Sequence, residues 1–125
     1  MAETIIRQGE DVLLKVDIMD GTTPVVLNPT NINNIVAVLY VANTEVAKYS
    51  LNSMPGHGTL DYHPTQNNSI NIVVEREQSK NFNIGVLKVV VLIQFIDPEF
   101  PDGKHREFVV SIGRVIKGES KDIDI

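Results

Sequence analysis

The chain has 125 residues, 42% hydrophobic and 22% charged, with a formal net charge of −5. That length supports a single domain, residues 1–125, with a core of its own, and the mixture excludes a disordered chain. The acid excess argues against nucleic acid, and the absence of cysteine removes disulfides, Cys-ligated zinc and thiol catalysis together.

The opening MAETIIRQGED has no basic stretch running into an apolar one, so no secretory signal is expected. The longest apolar run has strand length and contains Lys88 and Gln94, so no membrane-spanning helix is expected either. The composition reads as a soluble protein made in a cytoplasm.

Along the chain the hydrophobic pattern has period two almost everywhere, the signature of strands. A short N-terminal arm, residues 1–8, contains a first strand at 4–7. The segment 11–19 follows, with Val12, Leu14, Val16 and Ile18 alternating with Leu13, Lys15, Asp17 and Met19. Asp20-Gly21 signals a tight turn, Pro24 introduces a short apolar piece at 25–27, and 28–31 reads as loop. Residues 34–42 form a strand, Asn43-Thr44 a two-residue turn, and 45–51 the antiparallel partner.

The stretch 52–66, rich in Gly, Pro, His and Asn, reads as the longest irregular segment. Residues 69–75 return to strand with Ile70, Ile72 and Val74 facing in, and the polar 76–83 reads as a crossover with one helical turn. A long strand at 86–96, a turn-rich loop at 97–104 and a last strand at 105–116 complete the domain. In that last strand Phe108, Val110 and Ile112 are the inward side chains, and 117–125 is a charged tail. Seven to eight strands, with a long crossover before the penultimate one, predict an all-β fold, an immunoglobulin-like Greek-key β-sandwich.

Chemistry-bearing patterns are sparse. His57, Asp61 and His63 share one segment, but their spacing matches no zinc-ligand pattern. Asp97, Glu99 and Asp102 crowd another without the spacing of a calcium loop. No G-x-S-x-G elbow, phosphate-binding glycine loop or nucleophile–base pair occurs. We therefore expect no catalytic residue, no metal and no cofactor.

The unusual feature is the strand at 86–96, apolar on both faces. Leu87, Val89, Val91, Ile93 and Phe95 alternate with Val86, Val90, Leu92 and Ile96, and the second set is broken only by Lys88 and Gln94. Residues 34–42 share this character. An antiparallel sheet ordinarily shows water a polar face, so something must cover the second side. Either the chain's own loops or arm cover it, or another subunit does. In the second case Val36, Val38, Tyr40, Val86, Val90, Leu92 and Ile96 are the expected interface residues. The alternating Asp and Ile at the C-terminus read as a frayed end, or as a strand offered to a neighbour's sheet edge.

The order of motifs resembles the small Ig-like domains of bacteriophage virion proteins, in particular the N-terminal domain of phage upper baseplate proteins. The residues that carry the resemblance are Gly9-Glu10-Asp11-Val12-Leu13-Leu14-Lys15-Val16, then Asp20-Gly21-Thr22-Thr23-Pro24-Val25-Val26-Leu27-Asn28, then Phe82-Asn83-Ile84-Gly85-Val86-Leu87-Lys88-Val89-Val90-Val91. The resemblance implies a non-enzymatic virion structural protein, made in the bacterial host cytoplasm, with other virion proteins or further copies of itself as partners. The baseplate proteins carry a long extension after this domain and this chain stops after its last strand, which favours an auxiliary or decoration protein on a capsid. A baseplate or head–tail adaptor module is the alternative within that class. From a different class, a small carbohydrate- or metal-binding module would use the loops at 52–66 and 97–104, with Tyr62 and Phe100 as its aromatic platforms.

Overall fold

The computed structural model describes residues 3–125, and strands dominate it. In chain order they are β1 (Thr4–Arg7), β2 (Val12–Asp17), the small hairpin β3 (Met19–Asp20) and β4 (Thr23–Pro24), β5 (Ile32–Val41), β6 (Thr44–Ser50), β7 (Gly58–Tyr62), β8 (Ser69–Val74), β9 (Gly85–Asp97) and β10 (Phe100–Ile116). One helical turn, α1 (Arg76–Ser79), lies in the crossover between β8 and β9. No helix among the described residues is long and apolar enough to cross a membrane.

Eight strands hydrogen-bond in the order β1-β10-β9-β5-β6-β7-β8-β2, and β3 and β4 pair separately. The join between β6 and β7 is thin, a parallel contact of Tyr49 with Gly58 and of Ser50 with Thr59. On one side of it β1, β10, β9, β5 and β6 make a five-stranded layer; on the other β7, β8 and β2 make a three-stranded one. The result is an all-β sandwich approaching a barrel. The inward residues of both layers fill one core: Ile35, Ala37, Leu39, Leu87, Val89, Val91 and Ile93 from the larger, Leu14, Val16, Leu60, Ile70 and Ile72 from the smaller. The described part of the N-terminal arm, residues 3–8, runs along the sheet edge. Its strand β1 extends the larger layer at the edge, parallel to β10.

Three expectations need correction. The β5–β6 turn is Ala42-Asn43, one residue earlier than Asn43-Thr44. Both carry positive φ, 50° and 63°, as a two-residue hairpin requires. Thr44 is β-branched, resists that conformation, and pairs with Val41 instead. Within 52–66 the structure places β7, whose single fully buried aliphatic, Leu60, is too weak a pattern to stand out among Gly, His and Pro.

The third correction concerns 97–104, where β10 already starts at Phe100 and passes a register shift before Lys104. Gln94 Nε2 donates to the Asp102 carbonyl at 2.6 Å, so the irregular stretch stays tied to β9. The inward set of β10 is as expected: Phe108 is buried and Val110 and Ile112 pack against the core, and beyond a bulge between Ser111 and Gly113 the buried Val115 joins them. The apolar piece after Pro24 is not a strand, although Leu27 is tucked into the core.

The tail at 117–125 forms turns rather than a strand. The Arg76 guanidinium donates to the carbonyls of Ser120, Lys121 and Ile123 on the tail and, at 2.8 Å, to that of Gly9. Gly118 N–H donates to Gln8 Oε1, and Gln8 Nε2 donates to the Phe82 carbonyl at 2.7 Å. One crossover thus gathers both ends of the domain.

Candidate interaction surface

Register decides which side chains share the outer face of the larger layer. Val90 of β9 stands opposite Val38 of β5 on one side and Val109 of β10 on the other. Leu92 stands opposite Val36 and Glu107 in the same way. Val36, Val38, Val90, Leu92 and Val109 therefore form a continuous aliphatic patch across three strands. Leu92 is 42% exposed and Val109 57%, while Val36, Val38 and Val90 are half-buried by their neighbours on the sheet. β1 pairs with Gly113, Arg114, Val115 and Ile116 at the sheet edge, beyond the part of β10 that carries Val109.

The remaining expected residues occupy the margins. Tyr40 lies under Lys88, whose ammonium sits 5.2 Å from the ring centroid, a cation–π pair closing one end of the patch. Val86, 65% exposed, lies beyond Lys88 opposite Arg114. Ile96, 53% exposed, lies beyond Gln94 at the other end. Alternation along β9 places all four of its outer aliphatics on one face, but Lys88 and Gln94 separate Val86 and Ile96 from the centre. Val109 is the residue that sequence reasoning missed. It sits alone among Glu107 and Ser111 on its own strand, and only pairing with Val90 reveals its membership.

The loop chemistry does not converge. His63 Nδ1 accepts the backbone N–H groups of Thr65 and Gln66 at 3.2 and 3.0 Å, which closes a turn. Asp61 Oδ1 accepts from Tyr62 N–H at 2.7 Å, and Asp97 Oδ1 from Glu99 N–H at 2.9 Å. Among the described residues no three His, Asp or Glu side chains gather as a metal site. His57 carries a buried Nδ1 with no hydrogen-bond partner and lines a cleft of about 400 Å³ with Thr59, Glu75 and Gln78. Gln78 Oε1 there is already committed to Tyr49 and to Glu75 N–H. Tyr62 is half-buried and packs against the core, so it offers no free platform; Phe100 is 45% exposed.

A cleft of about 630 Å³ runs between α1 and the tail. Its cations are spent locally: Arg76 on carbonyls, Lys80 on Glu77 at 2.8 Å and Lys121 beside Asp122 at 3.8 Å. The Lys80 ammonium, bonded to the Glu77 carboxylate, holds that carboxyl below its usual range.

No family model, no curated protein and no solved structure matches this chain. The aliphatic patch brings five side chains of three adjacent strands onto one outer face.

Proposed function

We propose that this chain is a non-enzymatic assembly module of a bacteriophage virion, an auxiliary or decoration protein that docks onto a shell of other virion proteins. Its contact surface is the outer face of the five-stranded layer, centred on Val36, Val38, Val90, Leu92 and Val109. The observation that carries this reading is the Val38–Val90–Val109 row, three aliphatics in direct register, beside which Leu92 is exposed and within which Val109 is exposed. Each Val or Leu fully removed from water contributes roughly 1.5–3 kcal/mol, so five of them suit repeated docking in a symmetric shell.

The Ig-like Greek-key reading belongs to the same proposal. It is supported by a first strand parallel to the last, and by the chain changing layers between β2 and β5, β6 and β7, and β8 and β9.

The test is co-sedimentation with particles assembled from the products of neighbouring genes. Leu92→Lys and Val90→Glu should leave circular dichroism and the thermal midpoint close to wild type while the protein no longer sediments with particles. Variants that bind particles as wild type does would overturn the docking face. Adjacent genes unrelated to capsid, portal or tail would overturn the virion setting.

A further inference from the structure

The three-stranded layer ends at β2, whose outer edge has no strand beside it among the described residues. His63 N–H donates to the Ser69 carbonyl, so Ser69 and its alternates Asn71 and Val73 turn their backbone groups toward β7. Ile70, Ile72 and Val74 then bond β2 through Val16, Leu14 and Val12, and the Ile18 N–H continues the series to the Asn68 carbonyl at 2.7 Å. Leu13, Lys15 and Asp17 are left with their N–H and C=O groups aimed at the open edge. Their side chains lie on the outer face, where Leu13 is 64% exposed and Lys15 Nζ sits 3.4 Å from Asp17 Oδ1.

We infer that this edge pairs with the same edge of a second copy, antiparallel about a two-fold axis through Val16. Edge groups bond only when odd-numbered residues of β2 face odd-numbered ones, which leaves few registers. One sets Lys15 against itself and the next sets Asp17 against itself, and like charges directly opposite are repulsive. The register between them sets Lys15 opposite Asp17 of the second copy and Asp17 opposite its Lys15. It also sets Val16 against Val16 and brings Leu13 toward Met19, which is 39% exposed. Among these three registers the charge pattern selects one pairing and supplies two ion pairs to it. The dimer would have a continuous six-stranded layer, and it leaves the Val38–Val90–Val109 face of both copies free. The inference is independent of the docking role proposed above.

Sedimentation velocity from low micromolar to millimolar concentration, with amide exchange by NMR, tests it. Wild type should dimerise as concentration rises, and the Lys15 and Asp17 amides should gain protection in step. Lys15→Asp and Asp17→Lys each place like charges opposite and should weaken association about tenfold or more. An equimolar mixture of those two variants should associate again, because each then meets its opposite in trans. A wild type monomeric throughout, or single variants that associate as wild type, overturns the pairing. So does a mixture that stays monomeric, or a dimer that Leu92→Lys abolishes while Lys15→Asp does not.

Discussion

The Tyr49 hydroxyl donates to Gln78 Oε1 at 2.8 Å, tying the end of β6 to the crossover turn α1. Tyr49 is fully buried, and its ring passes so close to Gly58 that a Cβ there would lie 2.8 Å from it. The same Gln78 oxygen accepts the Glu75 N–H at 3.1 Å, so one amide holds both the start of the helical turn and the tyrosine. Burial first, and the nearby Glu75 charge second, push the phenol's pKa well above its ordinary value, so it remains a donor throughout the accessible pH range. Tyr49→Phe should cost about 1 kcal/mol of stability in urea denaturation with an unchanged m-value. A loss near zero would mean that the bond is not formed in solution.

Arg76 bonds the N-terminal turn and the tail together, through Gly9, Ser120, Lys121 and Ile123. Its backbone N–H also bonds Asp11 Oδ1 at 2.6 Å, and a substitution leaves that bond in place. Arg76→Ala should release residues 118–125 while the sandwich survives. Limited proteolysis should then clip the tail several-fold faster, with a stability loss of about 1–3 kcal/mol.

Gly113 sits in the β10 bulge where β1 crosses, and a Cβ built there would lie 1.7 Å from the Thr4 carbonyl oxygen. No side-chain rotation relieves a backbone clash. Gly113→Ala should detach β1 from β10, exposing Ile6 and costing about 2–4 kcal/mol. Hydrogen exchange localises the effect: amides of β1 should lose protection while those of β5 and β9 keep theirs.

Asp17 accepts a hydrogen bond from Ser69 Oγ at 2.5 Å, which, with Lys15 beside it, lowers its pKa below the usual 3.8 despite partial burial. A depressed acid contributes stability above its unfolded value and loses that contribution as pH falls through the folded one. Ser69→Ala should therefore raise the Asp17 pKa in a carboxyl NMR titration. The stability gap between wild type and this variant should be widest near neutrality and narrow on acidification below about pH 4.

Much of the sandwich was legible because period-two alternation survives in β2, β5, β8 and β9. Ile70, Ile72 and Val74 were expected to face in, and all three are buried. The crossover turn was also readable, since a polar run after an alternating strand has no sheet face to fill. β7 was not, because one buried Leu60 among turn-forming residues carries no detectable period. The start of β10 was hidden by Pro101 and Gly103, whose turn character describes the irregularity but not the pairing that continues through it.

Alternation along a single strand is a local property, and it sufficed to say that residues 86–96 present an apolar second face. Which side chains that face joins is a matter of register between strands far apart in sequence. Only the fold placed Val109 beside Val90, set Lys88 over Tyr40 to divide the patch from Val86, and sent β1 to the sheet edge instead of over it. The same holds for the open edge of β2, since backbone groups are freed or satisfied by neighbours that no single strand can name. Composition and period determined that this is an all-β chain with more apolar surface than one core consumes. Tertiary pairing decided where the surplus lies, because hydrogen-bond register sets the positions of side chains across strands.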